Sequence, residues 1–223
     1  MTSSNRWTPM FAALVAFSAL AARPPARQHA SPEVVAGVDA QTPGARFLAT
    51  LPQSTREAVK KDGQAVLDGK SGSDSSGRLL RAVIRFDRPR DEVFALITQP
   101  STQVSYLPHV TQSKTVGAHT DEGEATDMVV SFLFTFRYRT QHWFYPEEHR
   151  MEWNLDPAGE NGLTEQVGFF QLYELDEKTT IAEYGTRVVA RDGFLNFLRS
   201  LGERGGVADA LTAMRKHVAS GKP

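Results

Sequence analysis

Apolar positions near the C-terminus recur at offsets of three and four. In Asp192–Val218 they are Phe194, Phe197, Leu198 and Leu201, and after Gly205 and Gly206 the spacing resumes with Val207, Ala210, Leu211, Met214 and Val218. This is the apolar stripe of an amphipathic helix, with Arg199, Glu203, Asp209, Arg215 and Lys216 on its wet side. Asp192 suits the N-cap, and the paired glycines predict a break into a short and a long helix. Such a stripe must lie on an apolar surface. Between residues 78 and 190 nearly every run alternates with period two, so that surface is a sheet.

The first strand is Gly77–Phe86, with Leu80, Ala82, Ile84 and Phe86 on one side. A helix over Arg90–Thr98 follows, stopped by Pro100, and a second short helix falls within Ser101–Pro108. Val110–Val116 reads as a strand closed by Gly117 and an acidic turn, Thr120–Glu124. Ala125–Tyr145 is too long for one strand of a small domain and predicts a fold-back near Leu133–Thr135. In its second arm Phe136, Tyr138, Thr140, His142 and Phe144 alternate with Arg137, Arg139, Gln141 and Trp143, so the first set faces inward. Met151, Trp153 and Leu155 continue that face. Gln166–Leu175 is apolar on both sides, and Phe169 is assigned inward with Val167, Gln171 and Tyr173. In Thr179–Ala190 the inward set is Ala182, Tyr184, Thr186 and Val188.

Ahead of the sheet, Phe47–Leu67 carries a helix opened by Ser54 and Thr55 and ended by Gly63, then a short edge strand at Gln64–Leu67. Lys70–Gly77 reads as a loop by composition. Residues 23–45, rich in Pro, Ala and Gly, read as a flexible linker. Residues 1–22 have the pattern of an export signal: Arg6, an apolar run Met10–Ala22, and the small-x-small Ala19-Leu20-Ala21. The expected division is therefore signal peptide 1–22, linker 23–45, helical extension and loop 46–77, and one domain over 78–220, with a periplasmic or secreted location.

A net charge of −1 and the lack of a basic, aromatic-interleaved run argue against nucleic acid as a partner. Cysteine is absent, which removes disulfides and thiolate chemistry. The six histidines show no compact ligand spacing, so no metal or other cofactor is expected. His142 and His149 could meet across a hairpin, but without a clear third ligand. Asp127, Glu165, Glu174 and Glu183 sit on outward faces or strand ends, as solvated carboxylates do. Arg137, Arg139 and Arg150 form an outer basic stripe that could touch a membrane surface transiently, diluted by Glu147, Glu148 and Glu152.

Three passages, RAVIRFDRPRDEVFALITQPSTQVSYLPHV (81–110), RMEWNLDP and GFFQLYELDEKTTIAEYGTRV, with the terminal helix, resemble the helix-grip superfamily. It is also called START-like, SRPBCC or polyketide cyclase/dehydrase-like. The resemblance implies an α+β fold: a curved antiparallel sheet of about six to seven strands wrapped around a long C-terminal helix, with two short helices after the first strand. It further implies a hydrophobic small molecule (lipid, quinone or polyketide-like) held between sheet and helix. The residues expected at that ligand are Phe134, Phe136, Tyr138, His142, Phe144, Trp153, Phe169, Tyr184, Phe197, Leu201 and Met214. Non-catalytic binding is the leading reading. The alternatives are a cyclase or hydratase using His142 and Tyr138 as acid/base groups, and an interaction module presenting Gln166–Leu175 to a partner.

Overall fold

The alternating runs pair into one antiparallel sheet. The computed structural model describes residues 41–67, 78–131, 135–190 and 206–222. Its strands are β1 (Gln64–Leu67), β2 (Arg78–Phe86), β3 (Val110–Thr120), β4 (Gly123–Ser131), β5 (Thr135–Tyr145), β6 (Arg150–Leu155), β7 (Leu163–Asp176) and β8 (Thr179–Ala190). Their order across the sheet is β1-β2-β8-β7-β6-β5-β4-β3. The helices among the described residues are α1 (Pro43–Ala49), α2 (Gln53–Asp62), α3 (Arg90–Ile97) and α4 (Gly206–Ser220), with a 3-10 turn at Pro100–Ser105. Strand β3 runs past Gly117 through a bulge rather than stopping there. The sheet has eight strands, one beyond the expected range, because β1 pairs with β2 along its whole length. Strands β4 and β5 pair down to Ser131 and Thr135, as a fold-back requires.

Register fixes which side chains share a face. One inner row crosses the sheet as Glu124, His142, Trp153, Gly168, Thr186 and Leu80. The next runs Phe144, Met151, Phe170, Tyr184 and Ala82. Gly168 is there for room: a Cβ on it would overlap the Trp153 ring lying across it. Helix α4 covers this face with Leu211, Met214 and Val218, all buried, and α3 adds Val93 and Ile97. The front half of the predicted stripe, with Phe194, Phe197, Leu198 and Leu201, lies outside the described residues, as do Phe132 and Phe134.

The same register corrects the placement of Phe169. It sits opposite Glu152 and Gly185, on the outer face, with the Arg150 guanidinium 4.7 Å above its ring. Gln166, Gly168, Phe170 and Leu172 are the inward set of β7. The strand is apolar on both sides because the outer face is covered too. Phe47 of α1 stacks on Tyr173 at 4.6 Å, and Leu51, Val59, Val83 and Ile181 form a second core there. Helix α1 thus covers the Tyr173–Leu175 end of the flank offered to a partner in the interaction reading, while Val167 on the same face is exposed.

Helix α1 also shortens the expected linker, since it begins at Pro43. Proline at the first turn and a Thr42 side chain that caps Ala45 N start it, and the Thr42 hydroxyl donates to Leu175 O at 2.8 Å. Arg215, assigned to the wet side of the terminal helix, instead donates to Arg85 O (3.0 Å) and Asp62 O (2.8 Å). Gln64 donates to Ala208 O and Thr212 Oγ1, both at 3.1 Å. These bonds tie α4 to the N-terminal layer around the β1 edge.

Candidate ligand-binding cavity

Small side chains on α4 face large ones on the sheet without closing the space between. A cavity of about 270 Å³ lies beneath Val207, Ala210, Leu211 and Met214, floored by Leu80, Val130, Tyr138 and Tyr184 and bounded by Leu107–His109. A second chamber of about 160 Å³ adjoins it, sharing Leu107, Tyr138, Tyr184 and Met214. Its further walls include Thr140, His142, Trp153, Gln166 and Phe170. The first chamber is largely apolar; the second carries the polar groups. Trp153 and Tyr184 stack at 5.8 Å, and Phe170 meets Tyr184 at 4.9 Å, so the floor is a rigid aromatic patch.

Burial sets the charge of the polar groups. It lowers His142 to about 4, overcoming a hydrogen bond with the Glu124 backbone that acts the other way. It pushes Tyr138 up to about 12, against a hydrogen bond with Gln166, and raises Tyr184 as well. Near neutral pH all three are uncharged. His142 Nδ1 and Gln166 Oε1 are buried without a hydrogen-bond partner among the described residues. Glu124, expected in a turn, is a strand residue only 2% exposed, in the row of His142. Its carboxylate accepts from Thr126 (2.9 Å) and Thr115 (3.2 Å) and meets His119 Nδ1 at 2.9 Å, so it is already satisfied.

Five of the expected ligand residues, Tyr138, His142, Trp153, Tyr184 and Met214, come together on these walls. Phe136 and Phe144 face inward but are not wall residues: Phe136 pairs with Val130, and Phe144 is packed in the core beside Met151. Phe169 is on the far side of the sheet, and Phe134, Phe197 and Leu201 are outside the described residues. Leu107–His109 were missed because a loop has no period to read. Gln166 was missed with the face of β7, although Gly168, leaving space for a ring, marks that face. His142 and His149 do not meet. His142 faces Trp153, whereas His149 takes a left-handed conformation (φ 49°) and contacts Asp91 Oδ1 at 2.6 Å. The outer basic stripe is neutralised at two points, Arg139 by Asp127 (2.7 Å) and Arg150 by Glu152 (2.6 Å).

No protein-family model and no curated protein matches the sequence. The fold is shared with several solved structures. The Zhui aromatase/cyclase from a Streptomyces species superposes with a TM-score of 0.56 at 12% identity, over 64% of this chain and 93% of that one. A START superfamily protein from Mycobacterium smegmatis gives 0.53 at 12%, over 64% and 97%. A STAR-related lipid transfer protein from Xanthomonas axonopodis gives 0.53 at 14%, over 71% and 99%. The chain has the START-like helix-grip fold.

Proposed function

We propose that the protein binds and carries a neutral hydrophobic small molecule in the two joined chambers. The observation that carries this reading is an apolar cavity under α4 that ends on uncharged polar groups. The two volumes together fall near the lower end of the roughly 300–1,000 Å³ usual for ligand sites. That size suits a single-chain lipid, a quinone or a fused-ring polyketide-like compound, not a two-chain phospholipid. Buried apolar area would supply affinity at about 25 cal/mol per Å², less the entropic cost of association. Among the described wall residues there is no Lys, Arg, Asp or Glu, so a charged head group would be left unpaired.

The cyclase or hydratase reading needs a proton to move near neutral pH. With His142 lowered to about 4 and Tyr138 raised to about 12, neither group changes charge there, and both serve better to orient a ligand. The lipid-transfer name of the Xanthomonas structure and the aromatase/cyclase name of the Streptomyces one bracket the ligand classes considered. We further propose export to the periplasm or beyond, on the pattern of residues 1–22, with loading from a membrane surface. The test is native mass spectrometry of gently purified protein, followed by solvent extraction. A neutral lipid, quinone or polycyclic compound is the expected result; repeated recovery of empty protein that takes up no apolar probe would end the carrier reading.

A further inference from the structure

Gln166 shows which functional group the ligand brings. Its side chain hydrogen-bonds the Tyr138 hydroxyl, and because Gln166 Oε1 has no hydrogen-bond partner among the described residues it is the amide N–H that donates to the phenolic oxygen. That leaves Gln166 Oε1 as a buried acceptor without a partner among the described residues, and leaves the Tyr138 hydrogen free to be donated. His142 Nδ1, in a ring only 5% exposed, is likewise buried and unpartnered. All three residues border the same 160 Å³ chamber. An apolar ligand would leave each of these groups unsatisfied.

We infer that the ligand is an alcohol or phenol whose hydroxyl donates to Gln166 Oε1 and accepts from the Tyr138 O–H, with its carbon skeleton in the larger apolar chamber. His142 Nδ1 is the third polar atom within this end of the site. A ketone or ether accepts from Tyr138 but leaves Gln166 Oε1 unpaired. A carboxylate brings a charge that no described wall residue neutralises. A hydroxyl supplies one donor and one acceptor on a single atom without charge. Gln166 is thus the residue that sets specificity, an assignment that rests on the carrier reading.

Matched naphthyl probes separate the two claims. Calorimetric titration of the full chain with 2-naphthol, 2-methoxynaphthalene and 2-naphthoate should give 2-naphthol at least about tenfold tighter than the methyl ether, with the naphthoate weakest, because a site built for a hydroxyl rejects the analogue lacking it. In Gln166→Leu the preference for 2-naphthol over the ether should collapse to about twofold or less. Gln166→Met, closer in shape, serves the same purpose should the leucine variant fail to fold by circular dichroism. Equal binding of naphthol and ether to the native protein, or an undiminished preference in the folded variant, overturns the hydroxyl assignment and leaves the carrier reading standing. Failure of every naphthyl compound to bind overturns both.

Discussion

The two faces of the sheet receive helices in opposite ways. On the outer face α1 presses down until backbone meets backbone: a Cβ on Gly44 would lie 2.8 Å from the Glu174 carbonyl oxygen. Leu51, Val59, Val83 and Ile181 fill what lies between. On the inner face Leu211, Met214 and Val218 anchor α4 just as firmly, yet Val207 and Ala210 stand across from Leu80 and Tyr184 with about 270 Å³ left open. Both interfaces are apolar, so hydrophobic content does not separate them. Side-chain size at a few α4 positions does. Filled interiors gain dispersion contacts that a void forgoes, so the outer layer supports stability where the inner one leaves open volume.

That contrast can be broken by substitution. Ile181→Ala hollows the filled side and should cost about 4 kcal/mol in denaturant unfolding while leaving naphthalene binding intact. Loss of probe binding in that variant would mean the faces are not independent.

Acid should act through the open side. His142 is lowered to about 4 when folded against 6.5 as its ordinary value, so between those limits the unfolded chain binds the extra proton. Stability from this group is therefore intact above pH 6.5 and falls as pH drops to 4, by about 3 kcal/mol. In His142→Gln the unfolding free energy should vary less with pH across that window; an unchanged slope would remove His142 as the cause.

Adding volume gives the smallest and sharpest comparison. Gly44→Ala, on the filled side, should cost about 2 kcal/mol. Ala210→Phe, on the open side, should shift stability by less than about 1 kcal/mol yet weaken naphthalene binding at least tenfold. Equal penalties at the two positions would mean that the cavity is not available space.

Alternation made most of the sheet legible, and with it Tyr138, His142, Trp153 and Tyr184, whose strands carry charge on one side only. Strand β7 defeated the same logic because Tyr173 and Leu175 are apolar for α1 while Phe170 and Leu172 are apolar for the core. Helix α1 has seven residues, too few to display a period, and hides in Pro- and Ala-rich sequence. Leu107–His109 reach the cavity through loop geometry alone. Glu124 resembled a turn residue because its burial depends on Thr115 and His119 from the neighbouring strand.

The bonds of Arg215 and Gln64 bear on how much chain makes a working unit. The helix-grip pattern begins at residue 78, and a conservative excision would start there. Such a fragment would strip Arg215 of its Asp62 acceptor, release Ala208 and Thr212 from Gln64, and bare Val83 and Ile181 to water. Helix α4, the roof of the two chambers, is thus fastened by residues that lie before the recognisable module, and an excised domain that keeps it in place has to include them.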